Sequence, residues 1–331
     1  MSWRILALLL VLPAWMGCQG SGISRTGIVG LRTKAQQVVI TGLSDTDPRV
    51  RAAAVEVVAS TGQIQLAPMV LSLTRDPLVP VRFAALMAIG QMQYAPARMQ
   101  VRQIFDQIQE DINVRMAASY VLVRLGESPY AEYPRKMISS TDQTVRANAA
   151  MILGRIPDKQ SLKPLYWALE DPGSSPQVIM QAMESIAMLG DTRIYNKIWT
   201  RLISAYADDR IAGIRAMGAL GNAQARAAIK ALLDDEVLEV RLCAAAELGR
   251  LGDRSGIQVV KEAFERDLLS TTAIDLGTGP AKGEVAKVIA ATAIGQIGSP
   301  DLARYLELLL ADPSKLVQLA AAKAALQMTG P

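Results

Sequence analysis

Apolar residues along this chain fall into two patterns. The first is a single unbroken run, Ile5–Leu12, behind Arg4. The second starts near Lys34 and recurs to the C-terminus as short stretches with helical spacing, each opened by an acidic turn. In "DPLVPVRFAALMAIG", Val81, Ala84, Ala85, Ala88 and Ile89 share one helical face, because steps of three and four residues return to nearly the same angle. "DPRVRAAAVEVV", "DINVRMAASYVL", "DQTVRANAAMILG" and "DEVLEVRLCAAAELG" repeat the scheme: acidic turn, Val-Arg, small residues three and four places on, then an aliphatic.

The Val slots are Val50, Val81, Val114, Val145, Val178, Ala212, Val240, Ala286 and Val317, separated by 31, 33, 31, 33, 34, 28, 46 and 31 residues. A period near thirty that carries two helical patterns predicts stacked helix pairs, nine of them over residues 34–331. Segments such as "AAIKALLDD" and "LARYLELLLAD" supply the first helix of a pair. Asp-Pro at 47–48, 76–77, 171–172 and 312–313 offers an N-cap oxygen and a pre-set first helical residue. Glycines 62, 90, 126, 154, 190, 221, 252 and 298 fall where the second helices need C-caps. The last helix, "VQLAAAKAALQMTG", is apolar on several sides, which predicts a contact beyond its own pair. The spacing of 46 marks an insertion at about 266–284 in the eighth unit.

On these residues the chain resembles HEAT repeats, in particular the short repeats of about thirty residues also found in phycobilisome lyases. The resemblance implies an all-α, right-handed α-solenoid of antiparallel helix pairs, with a concave groove that holds protein partners. It leaves the chemistry open.

The N-terminal run has the parts of an export signal: a positive n-region, an apolar core too short to span a bilayer, then small residues. Around Gly17-Cys18 it is similar to the bacterial lipoprotein signal, in which the cysteine is lipidated after cleavage; Trp15 stands where an aliphatic residue is usual. This reading makes residues 1–17 a signal peptide and Cys18 a lipidation site. It makes 18–33 a polar tether, and the protein a lipid-anchored component of the cell envelope. Ordinary cleavage nearby, after Gly20 for example, would discard Cys18 and leave a soluble periplasmic or secreted protein.

Composition removes most enzyme classes. The chain has no histidine, so Ser-His-Asp and Cys-His systems and His-ligated metals are impossible within it. Two cysteines cannot build a four-thiolate site. No metal or cofactor is expected. A net charge of +4, without a basic block, gives no case for nucleic acid. Cys243 occupies a slot that holds alanine elsewhere (Ala53, Ala84, Ala117, Ala320) and reads as a small buried hydrophobe. Asp234, Asp235, Glu236 and Glu239 lack the glycine and alternating ligands of a calcium loop, and "GTGPAKGE" in the insertion lacks the strand and Gly-Lys-Ser/Thr of a phosphate loop.

Arg51, Arg82, Arg115, Arg146 and Arg241 recur at one position of the unit. Because acids recur with them (Asp47, Asp76, Asp111, Asp142, Asp235), a structural ladder is expected in preference to a basic stripe for phosphate or an acidic partner. Aromatics cluster mid-chain. Tyr166, Trp167, Tyr195 and Trp199 are the candidates for partner binding in the groove. Tyr166 is expected to be exposed, while Trp167, Tyr195 and Trp199 are expected to fill gaps between first helices. The favoured reading is a non-enzymatic, protein-binding scaffold in the cell envelope, held to the membrane by an N-terminal lipid. The alternative is a bilin lyase- or isomerase-like enzyme. Deoxyhypusine hydroxylases, a HEAT-like family that does chemistry, bind iron through histidines that this chain lacks.

Overall fold

Helix starts are set by carboxylates. Asp47, Asp111 and Asp142 each turn an oxygen onto the backbone N–H two residues ahead, and Pro48 pre-sets the helix after Asp47. At the other three Asp-Pro pairs the helix begins later than expected. There Asp76, Asp171 and Asp312 accept from the N–H groups of Leu78, Gly173 and Ser314, closing the turn ahead of the helix.

The computed structural model describes residues 25–270 and 283–330. These residues form nine helix pairs. Units one to three are α1 (Arg25–Leu43) with α2 (Pro48–Ser60), α3 (Ala67–Ser72) with α4 (Val79–Gln91), and α5 (Arg98–Asp106) with α6 (Ile112–Arg124). Units four to six are α7 (Glu132–Met137) with α8 (Gln143–Arg155), α9 (Leu162–Glu170) with α10 (Pro176–Met188), and α11 (Tyr195–Leu202) with α12 (Ala207–Leu220). Units seven to nine are α13 (Ala223–Ala231) with α14 (Leu238–Arg250), α15 (Ile257–Glu265) with α16 (Glu284–Ile297), and α17 (Ala303–Leu310) with α18 (Lys315–Thr329). No strand occurs among the described residues. The chain is therefore an all-α solenoid of helix pairs, and within most units the short turns make the two helices antiparallel neighbours.

Second helices pack on second helices through the whole series, and α18 then returns to pack against both α1 and α2. The array is closed. At the seam Leu319 is buried, and a Cβ on Gly42 would lie 3.2 Å from it and 3.0 Å from the Ala54 Cβ. The Arg32 Nη1 donates to the Gly330 carbonyl at 2.7 Å, and Lys323 pairs with Glu56 at 2.9 Å. One apolar cluster runs across the junction, from Leu31 and Val58 to Ile294 and Leu326. The inner, concave face of the solenoid is thereby the wall of a ring. The extra apolar face of the last helix is covered by the first unit of the same chain.

The structure also resets the register of unit six. Arg210 Nη1 donates to the carbonyls of Ser204 and Ala205, six and five residues back, as Arg51 does to those of Asp45 and Thr46. The Val-equivalent residue is thus Asp209, 31 residues from both Val178 and Val240, and not Ala212, so the spacings of 34 and 28 become 31 and 31 while the 46 of the insertion remains. Six of the eight glycines assigned to C-caps have the left-handed φ that a cap needs. Gly90 and Gly154 lie inside their helices instead. A Cβ there would come within 2.5 Å of the Tyr120 ring and 2.6 Å of the Ser185 Cβ, so their role is close helix approach.

α1 begins at Arg25, so the latter part of the stretch expected as a tether (18–33) is helical. The signal at 1–17, Cys18 and residues 271–282 of the insertion lie outside the described residues.

Candidate functional site

The recurrent arginines sit at the N-terminal ends of the second helices, where each can reach the turn of the following unit. Arg51 grips Asp76 with two parallel bonds of 2.8 and 3.0 Å, and Arg82 bonds Glu110 at 2.8 Å. Arg146 bonds Asp171 at 2.7 Å and the Ser174 hydroxyl at 2.9 Å. Arg210, which the shifted register had hidden, grips Asp235, with both side chains buried. Lys287 takes the same place with Asp312 at 2.7 Å, and Lys315 closes the series on Asp45 at 2.6 Å.

Two of the expected members bond differently. Arg115 donates to the Phe105 carbonyl and lies over the Phe105 and Tyr133 rings, at 5.6 and 5.2 Å from their centroids. Arg241 donates to the carbonyls of Asp235 and Glu236. Asp47 pairs locally with Arg49, while Asp111 and Asp142 act as helix caps. Where one of the recurrent arginines reaches a carboxylate, that carboxylate belongs to the next turn along, a pairing between units that spacing alone does not show.

The electrostatics follow from these contacts. Burial alone would raise the Asp76 carboxyl, but Arg51 and the Leu78 N–H outweigh it and hold it below the usual carboxylate value. Arg146 and the Gly173 N–H do the same for Asp171, as do Lys315 and the Asp47 N–H for Asp45. Guanidiniums consumed in this way leave no free phosphate-binding stripe at Arg51, Arg82 or Arg146.

The aromatic candidates lie on first helices, outside the ring of second helices, and not in a concave groove. The exposures of Tyr166, Trp167 and Trp199 differ from expectation. Trp167 and Trp199 are 46% and 41% exposed, while Tyr166 and Tyr195 are half-buried. The reason is local. Leu165, Ala168 and Leu169 on α9, and Ile198 and Leu202 on α11, already fill the inward positions, which leaves the tryptophans outside. Trp167 is covered on one face by Arg146 at 4.9 Å, Tyr166 by Arg193 at 5.3 Å, and Tyr195 stacks on Trp199 at 6.3 Å. Ile203, just after α11, and Tyr206, at the start of α12, are more exposed still (67% and 75%) and were missed as site residues. The turn position of Tyr206 was the available signal.

Cys243 is buried, and burial pushes its thiol up to about 12, so it is not a nucleophile at neutral pH. The acidic run at 234–239 is spent on structure, since Asp235 holds Arg210 and accepts from the Val237 N–H. Among the described residues there is no group of three His, Cys, Asp or Glu side chains placed to hold a metal, and no helix is long and apolar enough to cross a membrane.

The family described as HEAT repeats matches residues 131–205 and 197–274. No curated protein matches the chain. Among solved structures, the CpcE–CpcF complex of phycocyanin lyase from Nostoc sp. is similar at 16% identity and a TM-score of 0.41, covering 78% of this chain and 94% of that one. Human deoxyhypusine hydroxylase is similar at 16% identity and a TM-score of 0.37, covering 91% and 99%. Kap121p is similar at 14% identity and a TM-score of 0.33, covering 87% of this chain and 37% of that one.

Proposed function

We propose that this HEAT-repeat ring is a non-enzymatic scaffold of the cell envelope, tethered through a lipid on Cys18, that holds a protein partner on the outer face of units five and six. The observation that carries the reading is the exposure of Trp167 and Trp199, the only tryptophans after residue 17, on neighbouring first helices. Exposed tryptophans beside Ile203 and Tyr206 make a patch of the kind that anchors protein interfaces. First helices all run the same way, so this patch leans toward the edge opposite the one where α1 begins. A tether entering α1 would leave it free to engage a partner.

The test places a photo-cross-linking amino acid at 167, at 199 and at exposed Lys230 on α13 in the producing cells. Discrete adducts from 167 and 199 but not from 230 are expected; no adduct, or equal adducts from 230, would overturn the partner surface. In the same cells Cys18→Ser should move the protein from the membrane to the soluble exported fraction. Retention on the membrane would overturn the anchor.

A further inference from the structure

One recess in the molecule is lined by second helices alone. It has a volume of about 550 Å³ and lies between α2, α4 and α8, on the side turned away from the first helices and so inside the ring. Its floor is apolar and soft: Ala53, Phe83, Ala84, Met87, Ala88 and Met151. Methionine side chains adapt to ligands of irregular shape, and the volume falls in the range of small-molecule sites.

The polar groups around it are unevenly satisfied. Glu56 on one wall is matched by Lys323 at 2.9 Å, and the Ser60 hydroxyl donates to the Glu56 carbonyl at 2.8 Å. Arg155, on the opposite wall at the end of α8, has no ion pair or hydrogen bond to any described residue. Nearby on α6, Arg124 buries its Nε–H without an acceptor, and both guanidiniums act on the phenol of Tyr120. The recurrent cations of the second helices (Arg51, Arg82, Arg115, Arg146, Arg210, Arg241 and Lys287) each have a carboxylate, carbonyl or ring partner. An apolar recess with unmatched positive charge at one end calls for an elongated apolar molecule with one anionic head.

We infer that the recess binds a long-chain monocarboxylate, its chain along Phe83, Met87 and Met151 and its carboxylate on Arg155. The guanidinium fork matches a carboxylate in plane, and the bond gains strength beside the apolar walls.

The test is titration of the full chain with a naturally fluorescent polyene fatty acid, alongside its methyl ester. Saturable one-to-one binding of the acid is expected, with the ester weaker by about tenfold or more, since a hydrogen bond to a charged group is worth at least that factor. Arg155→Gln, at an exposed side chain that should not disturb folding, should reduce acid binding by a similar factor and leave ester binding unchanged. The exposed-site control Lys230→Gln should change neither. No saturable binding to the native chain overturns the inference, as does equal binding of acid and ester that Arg155→Gln leaves unaltered.

Discussion

Lys315 and Asp45 are 270 residues apart in the chain and 2.6 Å apart in space. Their bond continues, between the last unit and the first, the carboxylate–cation pairing that links earlier units. With Leu319 packed beside Gly42, it makes the termini of the repeat array one interface. Solenoids usually leave their end units half-covered and cap them with polar surface. Here each end caps the other.

Removal of residues 314–331 should therefore damage more than the last unit. The apolar faces of α1 and α2 would be exposed, so the shortened chain should bind a hydrophobic dye and show a larger radius in small-angle scattering. Leu319→Ala alone should cost about 2–5 kcal/mol in denaturant unfolding. A truncated chain with unchanged radius and no dye binding would refute the closed ring.

Arg210→Ala should be among the most damaging single substitutions in the ladder. It strips the partner from buried Asp235, a loss that typically costs about 3–5 kcal/mol. Arg49→Ala, at a solvent-facing pair, should leave the unfolding midpoint nearly unchanged. Urea unfolding of the two variants checks this, and similar midpoints would show that the ladder does not stabilise the junctions between units.

Acid should weaken the ring. The Asp45, Asp76 and Asp171 carboxyls are held below their ordinary value of 3.8. Their contribution is fully present above that value and is lost as pH falls through the lowered folded values. Midpoints of denaturant unfolding should hold from pH 7 to about 5 and drop below about 4. Asp76→Asn should be less stable at pH 7 and fall less steeply in acid. A midpoint independent of pH down to 3 would contradict this.

Gly154→Ala should destabilise by about 1–3 kcal/mol, because the added methyl meets the Cα of Ser185 at 2.7 Å in a well-packed contact. The comparison is Cys243→Ala, which fits its slot and should cost less. Thermal unfolding of both variants tests the assignment of Gly154 to close packing.

Cys243 should resist thiol reagents in the native chain at pH 8 and react only on unfolding, because its buried thiol stays protonated there. Rapid modification of the folded protein would show that unit seven is open to solvent.

Much of this was legible along the chain. The repeat of about thirty residues, the alternation of first and second helices and the buried small residue at Cys243 all follow from local spacing and side-chain size, which a sequence carries directly. The absence of histidine by itself excludes His-based catalysis within the chain. What the sequence could not carry depends on sums and on neighbours. Unit six looked irregular because Asp209 replaces the marker valine, and only Arg210 bonding as Arg51 does showed its register. The tryptophans came out exposed because Leu165 and Ile198 had already filled the inward positions. Closure is decided by the small rotation each unit adds to the last. No local motif records that total, and whether the two ends meet is known only when all nine units are stacked.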